Sequence, residues 1–293
     1  MTAEEPGSGQ PGSGPPGDAD TDRGAPASQA TTAATSDEAE QADADRAHVA
    51  RVLSSPTFRE VSDRVAQFDA SVSSLYTQGF KTLFDSASGK FEMRAAPNRR
   101  WFEYRMTVDI DAPLTECLST GHEVDLLPQA QPLVSQSVML GKPFGFNFTS
   151  MMRLGFPLIQ PEVLIEVVRH RDHKFGYLIE VVRSEFASDD VPPKGWGVVR
   201  PWVFHTNLWI PRGGGKVGTT IVQVSRVDCT MAVPSWFLNV LLTKMSSAFI
   251  QDLRSSALKA MQPSSPWAQR IKEDKDGFYK ELRSVETLAA SRR

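Results

Sequence analysis

Within a strand-like run at 100–111, hydrophobic and polar side chains alternate without a break from Phe102 to Asp111. Phe102, Tyr104, Met106, Val108 and Ile110 fall on one side of an extended chain, and Trp101, Glu103, Arg105, Thr107 and Asp109 on the other. One dry and one wet face predict a strand of an antiparallel sheet, because strands of parallel sheets are apolar on both sides. Two strand-like runs precede it, 74–85 and 90–95. Ser86-Ala87-Ser88-Gly89 and Pro97-Asn98 supply the turns, so the three read as consecutive hairpins.

The period changes on either side of these strands. Residues 46–73 carry apolar groups at helical spacing (Val49, Val52, Leu53, Phe58, Val61, Val65, Phe68), interrupted at Pro56. Residues 112–134 again read as helical, through Leu114, Cys117, Leu118, Val124, Leu126 and Leu127. Asp111 is placed to cap this stretch, and Pro128 and Pro132 to end it. Strands return at 135–139, 146–154, 162–169, 175–183, 197–210 and 219–228. A last helix of about 28 residues, roughly 40 Å long, spans 234–261. Leu238, Leu241, Leu242, Met245, Ala248, Phe249 and Leu253 share one arc of it, with Val240 and Ile250 outside. Pro234 suits its first turn and Pro263 stops it.

This order predicts an α+β fold: about nine antiparallel strands in one meander, curved around a single long helix. A many-stranded sheet with one dry face must curl or be covered. A helix this long, gripped by a curved sheet, can enclose an apolar chamber that side chains do not fill. Such a chamber is by default a ligand site.

Composition divides the chain. The first 45 residues contain no aromatic residue, Val, Ile or Leu, and carry ten acidic residues against one basic, Arg23. They cannot bury enough apolar surface to offset their ordering entropy, and predict a disordered tail. The whole chain has a net charge of −3, which leaves the remainder at +6. That sign favours transient contact with anionic membrane surfaces. No basic cluster or RNA-binding motif points to nucleic acid. Two cysteines, Cys117 and Cys229, are too few for a disulfide framework and suggest a reducing, cytoplasmic setting. The tail lacks the basic start and apolar stretch of a signal peptide. Residues 46–262 then form one domain, expected as a monomer. Residues 263–293 are a charged tail with room for one short helix.

Three segments carry a resemblance. Asp228 is followed six residues later by Pro234 and then by Phe237-Leu238-Asn239. Val108-Asp109-Ile110-Asp111-Ala112-Pro113-Leu114 leads from third strand to second helix and continues into Glu123-Val124-Asp125-Leu126-Leu127-Pro128. Gly155-Phe156-Pro157-Leu158 stands just before the strand at 162–169. Together these resemble the START family of lipid-transfer domains, which have a helix-grip fold. Met231-Ala232 departs from the Gly-Trp usual in that family, and Gln129 or Gln131 from its Trp. The resemblance implies non-catalytic binding of one sterol, phospholipid or sphingolipid under the terminal helix, with no cofactor and no metal. It also implies an opening movement of that helix, or of Phe156-Pro157-Leu158, at a membrane.

Candidate ligand-lining residues follow from the dry face of the third strand (Phe102, Tyr104, Met106) and the helical arc (Phe237, Leu238, Leu241, Met245, Phe249). Trp202 and Phe204 are candidates for the wall. Glu166 and Glu180 lie on strands joined by the turn at 171–173. A carboxylate turned inward there needs a partner, for which Arg169 and Arg183 are at hand. Glu180 and Arg183 are thus candidates for a polar anchor, whereas an outward pair would be ordinary surface chemistry. The competing function is an enzyme on this scaffold, a cyclase or lipid-ester hydrolase, with Glu166, Glu180 or His205 as base. A third is a lipid sensor or scaffold whose tails recruit proteins.

Other signals are weaker. Gly213, Gly215 and Gly218 spell G-x-G-x-x-G, but Thr219-Thr220-Ile221-Val222 reads as a strand where a dinucleotide loop needs a helix. His170 and His173 flank a turn without a third ligand beside them. Cys117 reads as a packed, inert thiol.

Overall fold

A computed structural model describes Ala47 and residues 80–291, apart from 88, 96–100, 145, 156–159, 173–174, 185–189 and 231–234. For 95, 142–144 and 235–245 it describes the backbone alone. The acidic tail 1–45, the helical period at 46–73, and the segments Phe156-Pro157-Leu158 and Met231-Ala232 lie outside the described residues.

Among the described residues ten strands form one sheet: β1 (Lys81–Ser86), β2 (Gly89–Ala95), β3 (Trp101–Ile110), β4 (Val134–Phe144), β5 (Asn147–Leu154), β6 (Gln160–Asp172), β7 (Tyr177–Arg183), β8 (Val198–Val199), β9 (Trp202–Arg212) and β10 (Gly218–Asp228). Helices α1 (Leu114–His122) and α2 (Leu127–Ala130) separate β3 from β4. Helix α3 (Ser235–Ala260) follows β10, and α4 (Pro266–Glu273) and α5 (Phe278–Ala290) come last.

The strand order is β1-β2-β3-β10-β9-β7-β6-β5-β4, with the short β8 parallel to the start of β6. One meander would set β4 beside β3. Instead α1 and α2 carry the chain to the far edge, and it returns strand by strand until β10 closes on β3. That seam runs in register from Ile110–Thr219 to Trp101–Asp228. The expected meander is therefore two, joined along β3 and β10. Pro128 opens α2 rather than ending a helix, at a position where its missing N–H loses no bond.

In the described part of α3, Phe249 and Leu253 of the expected arc pack against the core, and the buried face extends beyond that arc. Ser246, Ile250, Ala257 and Ala260 are buried, at helical spacing, while Ala248 is exposed. Ile250 enters the core that Val108, Leu118 and Ile221 build.

The expected charged tail proves to be two packed helices. Ser265 caps α4, its hydroxyl accepting from the Ala268 N–H at 3.0 Å. Ile271, Phe278, Tyr279, Leu282 and Val285 join the core of β3, β10 and α1. The packing boundary expected at 262 is thus absent. The glycine-rich run is the β9–β10 turn, followed by a strand. Gly214 sits there at φ 64°, and a Cβ on it would lie 2.6 Å from the Ala290 Cβ of α5.

Candidate ligand cavity

The sheet's inner face and the helices α1, α2 and α3 line a partly open cavity of about 370 Å³. Its wall is mostly apolar. Phe148, Met152 and Leu154 come from β5, Val163, Ile165 and Val167 from β6, and Val182 from β7. Val203 and Trp209 come from β9, Ile221 and Val227 from β10, Cys117 and Leu118 from α1, and Phe249 and Leu253 from α3. Period-2 alternation puts each strand's set on one face.

One cross-strand row is polar. Register pairs Arg169 with Glu180, Glu180 with Asn207, and Asn207 with Gln223. Arg169 Nε donates to Glu180 Oε2 at 2.6 Å, and Asn207 Nδ2 to Glu180 Oε1 at 2.7 Å. Both charged side chains are buried, so each is compensated by the other and the row is close to neutral. Phe148 and Phe278 flank the guanidinium, with ring centroids 5.1 and 5.3 Å from its central carbon.

Among the described residues, four polar atoms around the cavity have no hydrogen-bond partner: Ser150 Oγ, Asn207 Oδ1, Trp209 Nε1 and Gln223 Oε1. Buried polar groups are normally paired. Two acceptors, one donor and one hydroxyl left unsatisfied beside a void suit a ligand with a small polar end and an apolar body.

The next row along the sheet holds His205, Ser225 and Tyr104. His205 Nδ1 lies 2.5 Å from Ser225 Oγ. Burial lowers the His205 imidazole to about 4, against the pull of Glu180. Burial likewise pushes the Tyr104 phenol up to about 12. Both groups are neutral near pH 7. Cys117 is also raised to about 12, chiefly by burial, and is a packed thiol.

Helix α5 packs against the far side of Arg169. Phe278 stacks on His122 with centroids 3.7 Å apart, and Arg169 Nη1 lies 3.1 Å from His122 Nδ1. Burial, reinforced by the Arg169 cation, lowers His122 to about 3 although Asp276 opposes it. Among the described residues no group of three or more His, Cys, Asp or Glu is placed to hold a metal ion.

The fold has solved counterparts. The crystal structure of human STARD10 superposes with a TM-score of 0.57 at 13% identity, covering 74% of this chain and 86% of that one. Human StAR-related lipid transfer protein 5 gives 0.53 at 13% identity, over 70% of this chain and all of its own. The STAR-related lipid transfer protein of Xanthomonas axonopodis gives 0.50 at 19%, over 62% and 99%. The chain has the START-domain fold. No protein-family model and no curated protein matches the sequence.

Within this fold Tyr104, Met106, Glu180 and Phe249 line the cavity, as does His205. Phe102 lies on the inner face but packs into the core beside the cavity. The backbone positions of Phe237, Leu238, Leu241 and Met245 lie in α3, and their side chains are outside the described residues.

Arg183, Trp202 and Phe204 point the other way, which corrects their expected place. Arg183 Nε donates to Glu166 Oε2 at 2.6 Å on the outer face. Trp202 stacks on Phe204 at 6.1 Å, in a cluster with Phe80, Val181 and Val224. β9 mixes apolar and polar side chains on both faces, Val203, His205, Asn207 and Trp209 against Trp202, Phe204, Thr206 and Leu208, so composition left its inner face undetermined. The two glutamates thus divide: Glu180 turns inward to Arg169, and Glu166 outward to Arg183.

Sequence reasoning missed Asn207, Gln223, Ser150 and the role of His122. Asn207 and Gln223 did carry a signal, as lone amides inside apolar strands. That they meet depends on strand register.

Proposed function

We propose that the domain binds one lipid molecule in this cavity and carries it between membranes. The observation that supports the reading is a largely apolar cavity crossed by one buried polar row, Arg169, Glu180, Asn207 and Gln223. The solved counterparts named as lipid transfer proteins agree with it. The lipid's polar end meets Asn207 and Gln223, and its apolar body fills the space toward Leu154, Val203 and Val227. A 16-carbon chain costs on the order of 10 kcal/mol to expose to water, at about 0.8 kcal/mol per methylene. Enclosure removes most of that barrier in transit. Binding needs no cofactor and no bond-making step.

The contact between His205 and Ser225 favours a second reading, a lipid esterase. A base lowered to about 4 withdraws protons weakly near pH 7, and we therefore rank binding first. The test is mass spectrometry of an organic extract of the purified protein, followed by transfer of that lipid between vesicles. Recovery of one unaltered lipid per chain is expected. A folded protein that retains and moves no lipid from a broad panel would sink the proposal, and release of a hydrolysed product would favour the esterase.

A further inference from the structure

Trp196 is wholly exposed, at 101% of the reference area. Large aromatic side chains are rarely left so. It stands in an exposed run, Pro193-Lys194-Gly195-Trp196-Gly197. The Val198 N–H donates to Gly195 O at 3.4 Å, and Gly197 has φ +75°. This is the geometry of a type II turn, with Trp196 at the corner and glycine where φ must be positive.

The loop is tied down on both sides of that corner. Arg200 Nη2 donates to Pro192 O at 2.7 Å and to Glu162 Oε2 at 3.0 Å. β8 pairs with the start of β6, Val198 with Gln160 and Val199 with Pro161. Val198 is buried. A slack loop would let the indole fold back onto apolar surface. These bonds hold it out in water.

Its position gives the display a use. Just past the loop, Pro201 and Val203 line the cavity, together with Leu154 at the end of β5 and Val227 near the end of β10. The same end carries Leu133, 39% exposed, whose carbonyl accepts from the Gly155 N–H at 2.9 Å. From this end the chain leaves β10 to start α3.

We infer that Trp196 is a membrane anchor, which seats the cavity's β5–β9–β10 end on a bilayer surface. Tryptophan prefers the headgroup region, where its ring is covered and its N–H stays wet. Lys194, exposed two residues away, adds attraction to anionic headgroups. A protein partner fits less well, since an interface tryptophan sits at the centre of a contiguous covered patch. Its chain neighbours here are Lys194, Gly195 and Gly197, which supply no such patch. The inference rests on the lipid-carrier reading for its purpose, but the docking surface is tested apart from cargo.

The experiment is co-sedimentation of the full chain with phosphatidylcholine vesicles, with and without phosphatidylserine. It compares wild type, Trp196→Ala, Trp196→Phe and Lys194→Ala, with lipid content and thermal midpoint read for each. Trp196→Ala is expected to bind vesicles about tenfold more weakly, and Trp196→Phe in between. Lys194→Ala should lose part of the preference for phosphatidylserine. Lipid content and midpoint should not move, because Trp196 supports neither the fold nor the cavity. Vesicle binding by Trp196→Ala equal to wild type, or a wild type that ignores both vesicles, overturns the inference. A chain that docks through Trp196 but holds no lipid supports the anchor while the carrier reading fails. A chain that holds lipid without docking does the reverse.

Discussion

Arg169 and Glu180 stand opposite each other on β6 and β7, 2.6 Å apart from Nε to Oε2, and both side chains face the cavity. Removing one partner leaves the other charge buried. Glu180→Met or Arg169→Met should cost about 3–5 kcal/mol, or about 10 °C in the thermal midpoint. The double variant should recover most of that loss. Urea melts of the four proteins decide it. Losses that simply add would show that the two charges are not coupled.

Neighbouring residues on β9 should behave oppositely. Val203→Trp fills the apolar end of the cavity and should sharply reduce lipid recovered per chain. Phe204→Leu, on the outer face, should cost about 1 kcal/mol and leave lipid content unchanged. Mass spectrometry on matched preparations reads both. Equal effects would mean the inner face is assigned wrongly.

Acid should weaken the fold through its buried histidines. His205 and His122 are lowered to about 4 and about 3 in the folded chain, against about 6.5 unfolded. Below pH 6.5 the unfolded chain binds protons that the folded chain refuses. Their contribution is therefore fully present above pH 6.5 and falls toward pH 4, at about 1.4 kcal/mol per pH unit for each histidine. Denaturation curves between pH 7 and 4 should show this slope. His205→Asn should remove about half of it.

Phe278 ties α5 to the cavity. Phe278→Ala should cost about 3–4 kcal/mol and let water reach His122. The His122 imidazole should then titrate well above 3, moving toward 6.5, as read by NMR of its ring protons. An unchanged titration would show that α1, not α5, shields it.

Much of the fold was legible in local pattern. The alternation through β3, the hairpins around it and the run from β10 into α3 all follow from period and turn residues. The C-terminal helices were harder to see. Phe278, Leu282, Val285 and Ala289 recur at helical spacing, but lie among many charges. Such a helix gains little stability until it packs. The same limit hid the seam of β3 and β10, whose partners lie more than 100 residues apart.

The sequence by itself determined which residues alternate, where the chain turns, and that Arg169, Glu180 and Arg183 sit close together around one turn. Only the tertiary structure decided which of them face the void. A strand has two faces of identical period, and neighbours along the chain do not distinguish them. The choice is made by the side on which α1, α2 and α3 settle. Their packing turns Glu180 and His205 inward, Arg183 and Phe204 outward, and leaves the space between unfilled.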